Sequence, residues 1–191
     1  MTGCLCTASR FCYCDRNLAE QQMKETIIFK PRYTSRPFPP YAYVPGRNPH
    51  PTRDKDGHSS NGQQEQAKVE FDAEHWQDCE EYLYGIDLFN HGYWWEAHEA
   101  LEAVWVSAGR KTKTGFFIQG IIQISVAHLK RYQRFHDVAQ RMANDGLEKM
   151  HGIQGKYLGI DTRKLRTDVI RYFSGDDKYP VIIELLVEKP E

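Results

Sequence analysis

The sequence predicts an all-α protein: a compact bundle of about five helices preceded by an extended Pro-rich arm. Three observations carry that expectation. Between residues 74 and 173 apolar side chains recur at the three- and four-residue spacing of amphipathic helices. Seven of the nine prolines fall between Pro31 and Pro51, where fixed φ and missing N–H donors favour turns and extended chain. All four tryptophans lie between Trp76 and Trp105, so the core begins after the arm.

Taken in order, residues 1–22 hold four of the five cysteines, Cys4, Cys6, Cys12 and Cys14. Their C-x-C pairs are tighter than the C-x2-4-C spacing of structural zinc sites, and no folding pattern follows them, so the segment reads as a disordered Cys-containing extension. Met23 would open a more ordinary N-terminus. Residues 23–52 form the arm. Residues 53–66, RDKDGHSSNGQQEQ, contain no apolar residue and read as a flexible polar linker, and 67–191 form the helical domain. The arm is expected to drape over the bundle through Tyr41, Tyr43 and the prolines, with residues 37–51 ordered and 53–66 mobile.

Within the domain, Trp76, Cys79, Leu83, Ile86 and Phe89 predict a first helix over 74–90, stopped by Gly92. Trp94, Leu101 and Trp105 predict a second over 93–107, with Gly109 beyond it. Residues 115–134 are apolar on most of their circumference, as befits a central helix covered by several neighbours. Two outer helices with one buried stripe each follow, 136–153 and 161–173, the latter behind the start signal Asp161-Thr162. Residues 179–187, YPVIIELLV, could be extended or helical.

Composition narrows the function classes. With 25 basic against 26 acidic residues there is no global electrostatic case for nucleic acid, although residues 1–66 are net basic and the remainder net acidic. The longest apolar stretch, Phe116–Leu129, is interrupted by two glutamines and falls short of the ~20 residues of a membrane span. A soluble, cytoplasmic domain is expected, with a small molecule or a protein as partner.

Chemistry concentrates in the second helix, at His98-Glu99-Ala100-Leu101-Glu102. At 100° per residue, His98 falls in the middle of the face that carries Trp94 and Trp105, and Glu102 stands one turn on. One reading makes His98 and Glu102 metal ligands, with Glu99 a general base for a bound water, as in the helix-borne H-E-x-x-H of metallohydrolases; the candidate cofactor is then a divalent metal such as zinc. Glu102 stands where that motif has its second histidine. The other reading is a buried polar site, in which the His98–Glu102 pair is met by the amides of Gln119 and Gln123 on the central helix and takes a small ligand or partner. His50, in Pro49-His50-Pro51, is a candidate to close over the site from the arm.

The runs YLYGIDLFNHGYWWEAHEALEAVW and FFIQGIIQISVAHLKRYQR resemble the all-helical bacterial and plastid family catalogued as domain of unknown function 309, over about Tyr82 to Phe173. The arm's PPYAYVPGRNPHP and GHS look like the leader some members carry. The resemblance implies a helical bundle, no established reaction, and one site containing Asn90, His98, Glu99, Glu102, Trp105, Gln119 and Gln123; Trp95, inside the same motif, is counted with its binding pocket.

Overall fold

The computed structural model describes residues 30–60 and 69–186. The cysteine extension, part of the polar linker and the last five residues lie outside them. Among the described residues the domain has five α-helices: α1 (Glu80–Asn90), α2 (Trp94–Ser107), α3 (Lys113–Tyr132), α4 (His136–Lys149) and α5 (Thr162–Ser174). A hairpin of two-residue strands, β1 (Lys156–Tyr157) and β2 (Ile160–Asp161), sits between α4 and α5. The protein is mostly helical, as expected.

Two local features depart from the sequence reading. The first helix does not run unbroken from residue 74: Trp76–Asp78 form a 3-10 turn, and Cys79 is extended (φ −86°, ψ 96°) before α1 begins. The break turns the Trp76 indole onto Tyr82, with ring centroids 5.9 Å apart. The hairpin was not expected either. Its turn needs positive φ at Leu158 (46°) and Gly159 (76°), and Gly159 lies so close to the Trp76 indole that a Cβ there would come within 2.5 Å of the ring. Only the glycine marks this turn in sequence, because Leu158 is a poor signal for left-handed backbone.

α3 is the central element, packed between α2 and α4. Phe117, Ile118, Ile121 and Ile124 are buried on it, and Thr112 caps its start by accepting the Gly115 N–H. The α3–α4 crossing is close because glycine faces glycine. A Cβ on Gly120 would meet the Gly146 carbonyl at 2.6 Å, and one on Gly146 would meet the Gly120 carbonyl at 2.8 Å. α5 is capped by Asp161, whose carboxylate accepts the Arg163 and Lys164 N–H groups, and it buries Leu165, Val169, Tyr172 and Phe173.

Non-helical chain lies against the bundle on two sides. The C-terminal segment is extended, with Val181, Ile183 and Leu185 buried at the period of a strand. Its only strand-like pairing among the described residues is one bridge, Ile160 to Leu185. Helix and arm side chains take the inward N–H groups instead: Val181 donates to His128 Nε2 (3.3 Å), Ile183 to Asn90 Oδ1 (2.8 Å) and Leu185 to the Tyr33 hydroxyl (2.7 Å). Asn90 Nδ2 donates back to the Ile183 carbonyl at 2.8 Å.

The arm is held in the same way. Asp87, fully buried on α1, accepts the Tyr33 N–H (2.7 Å), the Thr34 N–H (2.8 Å) and the Thr34 hydroxyl (2.7 Å), with Arg32 Nε at 3.7 Å. Further along, Phe38 packs on His91 and Tyr93, and Tyr43 is buried. Residues 51–60 turn back on themselves: Asp54 N–H donates to the His50 carbonyl and Ser59 N–H to that of Pro51. Gly57 permits this fold, since a Cβ would sit 2.2 Å from the His50 carbonyl oxygen. Residues 53–60 of the stretch expected to be flexible are thus turns closed by backbone hydrogen bonds.

Two predictions follow from these contacts. Asp87→Asn puts an amide N–H2 where backbone N–H groups already point. It should cost about 3 kcal/mol, the scale of one or two charge-assisted hydrogen bonds, and equilibrium unfolding in urea would measure it. A variant within about 0.5 kcal/mol of the parent would show that the arm's anchor carries no weight.

His128 gives the second. Its ring is fully buried among Phe89, Trp94, Tyr172 and Phe173. Burial, helped by the Arg131 charge and opposed by the hydrogen bond to the Ile124 carbonyl, lowers its pKa to about 4. A depressed histidine pKa favours the neutral form. The unfolded chain, near 6.5, therefore binds the extra proton, and stability is full above about pH 6.5 and is lost as pH falls towards 4. The loss is on the order of 3 kcal/mol at about 1.4 kcal/mol per pKa unit. In unfolding titrations, His128→Gln should have a visibly shallower acid limb than the parent; parallel limbs would contradict the assignment.

Candidate functional site

α2 presents polar groups on two flanks of its buried stripe of Ala97, Leu101 and Val104. One flank carries His98 and Glu102; the other carries Glu96, with Trp95 and Glu99 between them.

On the first flank, His98 Nε2 lies 3.9 Å from Glu102 Oε2, with side chains 25% and 50% exposed. The pair is loose and half-solvated. His98 Nδ1 is buried with no hydrogen-bond partner, and so is Gln123 Oε1 on α3. The expected amide bonds from α3 to His98 are therefore not made through these atoms. Gln119 is half-buried, Glu99 and Glu102 are exposed, and Trp105 is half-buried beneath the Arg110 guanidinium, 5.1 Å from its ring.

Asn90 is engaged elsewhere. Both ends of its amide are spent on Ile183, and it is 2% exposed, so it anchors the C-terminal segment. Its position at the end of α1 is compatible with either role, and the partner lies 93 residues away in sequence, out of reach of any local pattern.

The arm brings an aromatic cluster to α2. Trp95 lies 5.4 Å from His98 between ring centroids, 5.6 Å from His50 and 5.1 Å from Tyr43, and Tyr43 and His50 are themselves 5.1 Å apart. The turn fixes the His50 ring, because its Nδ1 accepts the Thr52 and Arg53 N–H groups at 3.3 Å. Trp95 thus stands between a histidine of the arm and the histidine of the helix.

On the second flank Glu96 is only 7% exposed. Its Oε1 accepts the Tyr43 N–H at 2.8 Å and lies 3.1 Å from His58 Nε2, which must be the donor because a carboxylate only accepts. His58 is buried by this contact and by Tyr41, whose hydroxyl accepts the His58 N–H and donates to the Pro49 carbonyl. Sequence reasoning missed Glu96 and Asp87. The available signal was a carboxylate standing among apolar residues of a helix face, and that signal announces a partner without saying which.

The orphaned atoms are unevenly spread. Among the described residues, seven buried side-chain N or O atoms have no partner: five belong to α2 (Trp94, Trp95, Glu96, His98, Trp105) and two to α3 and the residue capping it (Gln123, Gln133). Metal chemistry finds less support. No group of three or more His, Cys, Asp or Glu side chains among the described residues is placed to hold a metal ion, so His98 and Glu102 lack a third ligand. No described helix is long and apolar enough to cross a membrane.

Comparison with known proteins adds one match. Residues 82–142 fit the family model described as "Domain of unknown function (DUF309)", and this part of the chain resembles that family. The matched stretch runs from α1 into α4 and contains Asp87, Asn90, Glu96, His98, Glu102, Gln119 and Gln123; the arm, the hairpin and α5 lie outside it. No curated protein is significantly similar to the chain.

Proposed function

We propose that the domain is a non-catalytic binding module that takes a small polar ligand on the tryptophan–histidine flank of α2, bounded by α3 and by His50 of the arm. The observation that carries this reading is the concentration of unsatisfied buried groups there. Folded proteins pair nearly all buried polar atoms, and a run of exceptions points to bonds supplied from outside the chain. The indole N–H of Trp95, beside His98, an imidazole nitrogen (His98) and an amide oxygen on α3 (Gln123) offer donors and acceptors. A ligand with both kinds of group would satisfy them, and the aromatic faces of Trp95 and His50 would cover its apolar part. The metallohydrolase alternative calls for a third ligand that the described residues do not supply.

The test is whether the protein carries such a molecule. Denaturing protein purified without an affinity tag should release a stoichiometric small molecule detectable by mass spectrometry, and His98→Ala, folded by circular dichroism, should release far less. Protein that gives up nothing, and whose indole N–H resonances stay fixed when a low-molecular-mass extract of the expression host is added, would contradict the proposal.

A further inference from the structure

A separate groove lies on the other flank of α2, between the arm and the start of α1, with a volume of about 860 Å³. Its buried lining is Pro51, Cys79, Tyr84, Leu88 and Ala100, together with Glu96. Exposed carboxylates, Glu70, Asp78, Glu80 and Glu99, stand around it. Among the described lining residues Arg36 is the one fixed cation, and it is engaged by Glu81 at 2.8 Å. Among the described lining residues the unpaired charge is therefore negative.

Acidic residues on a rim prove little alone, since solvated carboxylates are common. The second observation lies in the lining. Glu96 is 7% exposed, and while its Oε1 is used by Tyr43 and His58, its Oε2 is buried without a partner. A desolvated carboxylate oxygen buried without a partner is costly unless a donor comes to it, and the best donor is a cation.

The shape of the site narrows the class of cation. The volume is that of an organic ligand and far exceeds a single ion. The carboxylates do not converge: no three of the described acidic or other metal-binding side chains group closely enough to hold a metal. Carboxylates that share one groove with apolar side chains without converging match a chain that alternates ammonium groups with methylene segments. We propose that this groove binds a linear polyamine, one ammonium donating to Glu96 Oε2, the methylenes lying on Leu88, Ala100 and the Tyr84 and Trp95 rings, and the remaining ammoniums facing Glu80 and Glu99.

Calorimetric titration of the full chain with spermidine at low ionic strength tests this. Saturable one-to-one binding is expected, with Glu96→Gln weakening it by about tenfold or more, the scale of one charge-assisted hydrogen bond. Because Glu96 also holds the arm, the double variant Glu80→Gln/Glu99→Gln provides a second arm of the test. It changes exposed residues only and should weaken binding several-fold with unchanged unfolding behaviour. Magnesium at equal charge concentration should not displace the polyamine. Equal affinity in the parent and both variants, ready displacement by magnesium, or no saturable binding would each overturn the proposal.

Discussion

A buried backbone N–H must have a partner, and a chain laid in extended form on a helical bundle has little strand beside it to provide one: among the described residues the C-terminal segment has the single Ile160–Leu185 bridge. The protein meets this constraint with polar side chains projected from its helices. Asp87 takes Tyr33 and Thr34, Glu96 takes Tyr43, Asn90 takes Ile183 and His128 takes Val181. Tyr33 completes the set from the arm itself, its hydroxyl taking Leu185, so the two extended segments are tied to each other as well as to α1. Each of these side chains would be expensive in a core without its backbone partner. The residues that look most like active-site groups by burial are thus the ones that fasten the non-helical chain.

That fastening shapes both candidate binding surfaces. Docking of Tyr43 on Glu96 sets the aromatic cluster of Tyr43, His50 and Trp95 against α2, one ring away from His98. The same contact buries the His58 side chain and leaves Oε2 of Glu96, a residue lining the groove between arm and helices, buried without a partner. Arm position, tryptophan–histidine flank and acidic groove are therefore coupled through one carboxylate. A ligand that orders either surface would stabilise the docked arm, and one that needs the arm open would be opposed by it.

Much of the helical architecture is legible in the sequence because its cause is local. Apolar period places the helices; Gly92 and Gly109, both at φ 85°, end α1 and α2; Thr112 and Asp161 start α3 and α5 by capping. The Gly120–Gly146 crossing is different: each glycine reads alone as a mild helix defect, and only contact across 26 residues explains it. Long-range pairing also hides the roles of Asn90 and His128, whose partners sit 93 and 53 residues away. Around His98 the motif H-E-x-x-E gives the spacing of the side chains. It does not show that Glu102 would be half in solvent, nor that the histidine's inner nitrogen would be left without a bond.

Amide hydrogen exchange, resolved by residue, tests the central claim most directly. If helix and arm side chains hold the extended segments, Thr34, Tyr43, Val181, Ile183 and Leu185 should exchange slowly, with protection approaching that of α3, and Ile182 and Glu184 should exchange much faster. Protection in the C-terminal segment would then alternate with the period of a strand although its pairing with β2 is a single bridge. Uniformly fast exchange across residues 181–185 and at Thr34 and Tyr43 would contradict the account.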